Sequence, residues 1–268
     1  METNYFQNDT YSTCLRGNYT SIISRVRRSR LIFTVKYIGI VIRTRRLAVK
    51  GRYFKKEWAQ SSYDILKLLE NAGAKFHIDG IDNIRNTTGP LVFICNHMST
   101  LETMILPCIV APIMDVTFVV KDSLVKHPLF GPVMRSRDPI VVSRKNSRED
   151  LQKVLDQGSE ILRGGRSVII FPQATRREVF DRAAFNTLGV KLAARNNVMV
   201  IPVALRTDFW KNGKLIKDLG PLDRSAPVMF SFGKPMRIEG NGKKEHSAII
   251  DFITSNLVEW GCVVRDER

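Results

Sequence analysis

The chain has 268 residues, 44% of them hydrophobic, and a formal net charge of +16. A chain of this length buries roughly 70–75% of its extended surface, so it holds a large core without disulfide staples. Its four cysteines (Cys14, Cys95, Cys108, Cys262) form no CxxC or Cys/His cluster, which argues for reduced thiols and against a structural metal site.

The charge is concentrated toward the N-terminus. Residues 1–14 are polar and are expected to form a disordered tail. Between Arg16 and Lys56 stand thirteen basic residues and no acid, and the first sixty residues carry +10 of the +16. Interleaved with these cations are Leu31, Ile32, Phe33, Val35, Tyr37, Ile38, Ile40, Val41 and Ile42. The apolar run is interrupted by Lys36 and falls short of the roughly 20 residues a bilayer span requires. It is internal and lacks a small-residue cleavage site, so it is no secretory signal. On a helix, Lys36, Arg43, Arg46 and Lys50 share one broad face and most of the aliphatics the other, with Arg45 out of pattern. A basic amphipathic helix of this kind is expected to lie in an anionic membrane interface. Two other readings stand beside it: a helix packed on the domain, and a basic arm for nucleic acid. Nucleic acid leaves the dense aliphatic content without a reason, so it is not expected as a partner.

Helical periodicity runs over roughly 18–48 and again over 57–72, where Trp58, Tyr63, Ile65, Leu66 and Leu69 recur before Asn71-Ala72-Gly73. From residue 75 onward, strand-like runs are expected at Lys75–Ile78, Leu91–Cys95, Val116–Val120, Ile140–Ser143, Ser167–Phe171, Val198–Leu205 and Val228–Phe232. Helices are expected between them at Thr100–Val110, Ser147–Arg163, Ala184–Arg195 and Glu245–Trp260. The alternation predicts an α/β fold, a mostly parallel central sheet flanked by helices. Several runs are apolar without alternation, as strands buried on both faces are. The expected organisation is a tail at 1–14, an N-terminal helical membrane-interface segment at 15–73, and one domain at 74–268. No Gly-rich nucleotide cradle appears, Gly164-Gly165 being a turn after a helix, so no bound cofactor is expected.

The run Leu91-Val92-Phe93-Ile94-Cys95 breaks into Asn96-His97-Met98-Ser99-Thr100-Leu101-Glu102. A strand that delivers a histidine to its C-terminal end, with a carboxylate nearby, sits where open α/β sheets keep their chemistry. Residues five apart on a helix diverge by about 140°. The two therefore meet only if His97 lies in the turn and Glu102 in the first helical turn. Ser99-x-x-Glu102 also reads as a capping box, in which the glutamate serves only the helix end. Arg144 and Arg176 each follow an apolar run, so both are expected at the same sheet edge, where converging guanidiniums bind phosphate.

Four blocks together resemble the glycerolipid acyltransferase superfamily, and most closely its bacterial 1-acylglycerol-3-phosphate acyltransferases. Asn96-His97-x-Ser99-x-x-Glu102 is similar to the family's NHxSxxD. Pro139-Ile140-Val141-Val142-Ser143-Arg144 ends on arginine as the family's second block does. Phe171-Pro172-Gln173-Ala174-Thr175-Arg176 resembles FPEGTR, and Val200-Ile201-Pro202-Val203-Ala204-Leu205 is the fourth. The likeness covers about residue 64 to the C-terminus. The chain departs from the pattern at Glu102, where aspartate is usual, and at Gln173-Ala174, where the family has Glu-Gly.

The resemblance implies transfer of an acyl group from acyl-CoA or acyl carrier protein to the hydroxyl of a lysophospholipid. These donors enter as co-substrates, and neither a metal nor a further cofactor is implied. It makes His97 the general base and Glu102 the group that fixes its tautomer, a task suited to an imidazole titrating near neutrality. It assigns the phosphate to Arg144 and Arg176 with Lys121 as a third cation, and gives Gln173 and Thr175 an orienting role. The basic N-terminal arm is expected to place the protein on the cytoplasmic face of the inner membrane, peripheral or monotopic. The Gln173-Ala174 departure leaves open another lysophospholipid or lyso-ornithine lipid as acceptor. A catalytically silent lipid-binding relative, with Glu102 only a cap, is the remaining alternative.

Overall fold

A computed structural model describes residues 4–14, 29–173, 175–213 and 220–265. In chain order the elements are β1 (Tyr11–Ser12), α1 (Arg30–Val49), α2 (Lys55–Asn71), β2 (Phe76–Asp79), α3 (Ile81–Arg85) and β3 (Leu91–Cys95). Then come α4 (Leu101–Val110), β4 (Val116–Lys121), α5 (Asp122–Lys126), α6 (Gly131–Arg135), β5 (Ile140–Val142) and α7 (Ser147–Arg163). The chain continues through β6 (Ser167–Ile170), β7 (Phe180–Asp181), α8 (Leu188–Asn196), β8 (Met199–Arg206), β9 (Val228–Phe232), α9 (Lys243–Glu259) and β10 (Val264–Arg265).

Eight strands form one sheet in the order β1-β2-β9-β8-β3-β6-β4-β5, and β7 pairs with β10 in a small ribbon. Strands β8, β3, β6, β4 and β5 are mutually parallel, as are β2 and β9; β8 with β9 and β1 with β2 are the antiparallel pairs. The fold is therefore α/β with a mostly parallel sheet. Pro202 sits in β8 where the antiparallel pairing with β9 ends. The β9 ladder reaches only Val203↔Phe232, and beyond it the Pro202 carbonyl accepts from Gly233 N at 2.9 Å.

Alternate residues of the inner strands enter two cores. Phe93, Cys95, Phe118, Ile169, Ile201, Val203 and Phe230 pack with α1, α2 and α4 on one face. Val92, Ile94, Val168, Ile170, Val200 and Ala204 pack with α7, α8 and α9 on the other. Both faces being covered, these strands read as unbroken apolar runs, and β3 is buried at all five positions. Helix α7 starts where Asn146 accepts from the Arg148 and Glu149 amides, and it stops at Gly164. Gly189 lets α8 lie against β3, because a Cβ there would meet Ile94 at 2.7 Å. In α4, Pro107 interrupts the amide ladder. The Ser62 hydroxyl bridges the gap, accepting from Cys108 N at 2.9 Å and donating to the Met104 carbonyl at 2.6 Å.

Two expectations for the N-terminal region are corrected. Residues 4–14 are not a disordered tail but a strap across the sheet edge. Phe6 is 3% exposed, Tyr5 stacks on Tyr63 with ring centroids 4.4 Å apart, and the Tyr11 and Thr13 hydroxyls both donate to Glu70 at 2.7 Å. Asp9 caps α3, its carboxylate accepting from Asp82 N at 2.8 Å. The aromatic residues make this short polar stretch a docking segment. The helix expected over 18–48 is described from Arg30; residues 15–28 lie outside the described residues. Nor does α1 have one apolar and one basic face. Phe33, Tyr37 and Val41 are buried against the body, while Leu31, Val35, Ile38, Ile42 and Val49 form a second, exposed stripe at i, i+4, i+7, i+11 and i+18. Lys36, Arg43, Arg46 and Lys50 flank that stripe on one side, Arg30 and Arg45 on the other.

Candidate active site

Strands β3, β4, β5, β6 and β8 run in one direction, so their C-terminal ends deliver His97, Lys121, Arg144, Thr175–Arg176 and Thr207 to one edge of the sheet. His97 lies in the turn between β3 and α4, and Glu102 in the first turn of α4, as the spacing demands.

The turn is held from two neighbouring strands. The Asn96 side chain takes over a ladder position, its Nδ2 donating to the Leu205 carbonyl and its Oδ1 accepting from Leu205 N, each at 2.8 Å. The His97 amide donates to Gln173 Oε1 at 3.1 Å, and the His97 carbonyl accepts from Arg177 N at 2.9 Å. The imidazole stacks on Phe171 with centroids 4.4 Å apart. The histidine backbone is thus gripped at both polar groups by the segment after β6.

Glu102 is fully buried. Its Oε1 accepts from Met98 N at 2.5 Å, Ser99 N at 2.9 Å and Thr207 Oγ1 at 3.0 Å. Its Oε2 accepts from Ser99 N at 3.1 Å and lies 3.5 Å from His97 Nδ1, which makes no hydrogen bond of its own. One carboxylate therefore does both jobs weighed from the sequence: Oε1 caps the helix start and Oε2 faces the imidazole. Such donors satisfy the acceptor capacity of a carboxylate buried away from water. An imidazole whose Nδ1 faces a carboxylate is disposed to take a proton at Nε2. Separations of this size tighten when substrate closes a site.

The basic residues sort unequally. Arg144 sits after β5 with φ of 57°, a left-handed conformation rare for a residue with a side chain. Asp150, in the first turn of α7, stabilises it by accepting from Ser143 N at 2.8 Å and Arg144 N at 2.6 Å. Partial burial, and next the charge of Arg176, hold the Arg144 guanidinium below its ordinary pKa. The two arginines are therefore in electrostatic contact, an arrangement suited to an anion. Lys121 is exposed at the end of β4, level with Val142 and two residues short of Arg144 in the strand register. Thr175 is exposed and Arg176 half-buried on the loop after β6. Gln173 is 2% exposed; its carbonyl oxygen holds the His97 amide, and its Nε2 is buried without a hydrogen-bond partner. Arg177 pairs with Asp181 at 3.0 Å. Among the described residues no group of three or more His, Cys, Asp or Glu stands within reach of one metal ion.

Sequence reasoning assigned no role to Asn96, Asp150 or Thr207. Asp150 was findable from the acid-rich start of α7. Asn96 and Thr207 act on partners 109 and 105 residues away, and no local pattern signals that. Trp210, which follows β8, packs in the core. It is 2% exposed and receives Phe33 and Tyr37 of α1 edge-on at 5.1 and 5.0 Å.

The acyltransferase family model matches residues 75–206, which include His97, Lys121, Arg144 and Arg176 and stop one residue short of Thr207. The chain is 27% identical over 194 residues to the 1-acyl-sn-glycerol-3-phosphate acyltransferase of Pseudomonas aeruginosa, covering 72% of this chain and 70% of that protein. It is 31% identical over 86 residues to the lyso-ornithine lipid O-acyltransferase of Rhizobium meliloti, covering 32% of this chain and 28% of that one. The crystal structure of the 1-acyl-sn-glycerophosphate acyltransferase PlsC from Thermotoga maritima superposes with a TM-score of 0.63 at 18% identity, over 92% of this chain and 99% of that one, and shares its fold. Residues 75–206 therefore form an acyltransferase-like domain, and the chain is an O-acyltransferase.

Proposed function

We propose that the chain transfers a fatty acyl group from acyl-CoA or acyl carrier protein to the free hydroxyl of 1-acylglycerol-3-phosphate, giving phosphatidic acid. The observation that carries this reading is the 3.5 Å approach of Glu102 Oε2 to His97 Nδ1 on the sheet edge that also carries Arg144 and Arg176. In this reading His97 Nε2 takes the proton of the acceptor hydroxyl as its oxygen attacks the thioester carbonyl. The tetrahedral intermediate collapses with cleavage of the carbon–sulfur bond, and the departing thiolate takes the proton back from the imidazolium. Glu102 stabilises the imidazolium meanwhile. Arg144 and Arg176, with Lys121 at the rim, hold the phosphate, and Thr175 and Gln173 orient the acceptor. No metal and no cofactor beyond the acyl donor enters the reaction.

Among the described residues no helix is long and apolar enough to cross a membrane. The exposed stripe of α1, flanked by cations, supports peripheral binding to an anionic bilayer at the cytoplasmic face. Basic side chains near such a surface contribute about 1 kcal/mol each. Gly39, Ile42, Arg43, Arg46, Leu47 and Lys50 line a shallow open groove there, whose three cations suit anionic lipid headgroups.

Release of free thiol from oleoyl-CoA in mixed micelles tests the reaction. Release that requires lysophosphatidate and disappears in His97→Ala is expected. A second reading, acylation of lyso-ornithine lipid, is favoured by the 31% identity to the Rhizobium protein. Faster thiol release with that acceptor than with lysophosphatidate would move the substrate and keep the mechanism.

A further inference from the structure

The Glu102 carboxylate is oriented from outside its own turn. Backbone amides of Met98 and Ser99 supply its local donors, and both belong to the loop it caps. Ser99 N reaches both oxygens, 2.9 Å from Oε1 and 3.1 Å from Oε2, so it does not by itself distinguish them. Across the site, at the end of β8, the Thr207 hydroxyl donates to Oε1 at 3.0 Å. Thr207 is itself fixed: it is fully buried, and the Ser99 hydroxyl lies 3.0 Å from both its Oγ1 and its carbonyl oxygen. Ser99 Oγ also accepts from Leu101 N at 3.1 Å. Ser99, Thr207 and Glu102 thus form a short relay of hydroxyls ending on the carboxylate, in which each bond polarises the next.

The two oxygens of Glu102 then have separate duties. Oε1 takes three donors, while Oε2 is left to Ser99 N and the face of His97 Nδ1. A glutamate has one more rotatable bond than an aspartate, so the division needs a constraint that an aspartate would need less. We propose that Thr207 is a positioning residue of the acyl-transfer reaction, holding Oε1 of Glu102 so that Oε2 stays on His97 Nδ1; this rests on the reading of His97 as base and Glu102 as its partner. Its carbon skeleton packs in the core, but the hydroxyl alone carries the function.

Thr207→Val keeps the shape and removes the donor, and Thr207→Ser keeps the donor. Each is measured in the full chain with oleoyl-CoA and lysophosphatidate in mixed micelles, beside wild type, His97→Ala, Glu102→Gln and the double variant Glu102→Gln/Thr207→Val. The expected result for Thr207→Val is a roughly tenfold fall in kcat from losing one hydrogen bond to a charged group. KM stays within about twofold, because the residue touches no substrate. Thr207→Ser restores most of the rate. Adding Thr207→Val to Glu102→Gln costs little more than Glu102→Gln alone, since the hydroxyl acts through that carboxylate. Wild-type kcat in Thr207→Val, or a full additional loss in the double variant, overturns the proposal while His97→Ala remains inactive. If His97→Ala keeps its activity, the underlying assignment of the base fails instead.

Discussion

The His97 turn and helix α1 are both fastened to distant parts of the chain, but by different means. From Asn96 to Glu102 the fastening is directional: amide to carbonyl, amide to carboxylate and hydroxyl to carboxylate, from β6 and β8 and within the turn. Helix α1 is fastened by shape, with Phe33 and Tyr37 edge-on to Trp210 and Val41 beneath. Hydrogen bonds fix angles, which a proton transfer needs. Apolar contact fixes area, and aromatic pairs add about 0.5–1.5 kcal/mol each beyond it. A helix held that way can be attached firmly on one face and still offer an apolar stripe on the other.

The largest effect expected from breaking the directional half comes at His97. His97→Ala should lower acceptor-dependent thiol release by about 10²–10⁴-fold, the usual worth of a positioned general base, with an unchanged circular dichroism spectrum. A variant within tenfold of wild type would remove the imidazole from the chemistry. The fastening by shape is tested at Trp210. Its replacement by alanine should cost about 3–5 kcal/mol in denaturant unfolding and speed proteolysis within α1. Unaltered stability there would show that the helix docks by other contacts. Smaller again is the anion pair: Arg144→Ala or Arg176→Ala should raise KM for lysophosphatidate by about one to two powers of ten. A phosphate-free lysolipid should be affected less, and equal losses for every acceptor would sink the phosphate assignment. Least is expected at the open stripe, where Ile38→Gln with Ile42→Gln should reduce sedimentation with anionic vesicles about tenfold at unchanged stability. Undiminished sedimentation would locate the membrane contact elsewhere.

The inner strands were legible because burial on both faces turns them into plain apolar runs: β3 and β9 begin and end where the sequence pattern does, as does α7. His97 and Glu102 could be read because the pair is local and its geometry follows from a strand ending in a helix. Thr207 could not, since a threonine after an apolar run looks like any strand terminus until β8 is laid beside β3. Helical periodicity likewise finds the apolar residues of α1 without telling which stripe the body covers. Residues 4–14 misled for another reason. Their polar composition hides Tyr5 and Phe6, whose rings meet Tyr63, and Tyr11, whose ring meets Phe6, only after α2 and the sheet edge have come together.

The strap has a mechanical consequence for α1. Residues 4–14 are sewn to β2, α2 and α3, while the chain leaving α1 enters α2 through Tyr53, which is buried and bonded to Ser61 at 2.6 Å. Thr13, before α1, and Tyr53, after it, are therefore both tied to the body. Were the contact of α1 with Trp210 to open, the ties at Thr13 and Tyr53 would keep the helix beside its docking face. Re-docking would then be intramolecular, its equilibrium independent of protein concentration.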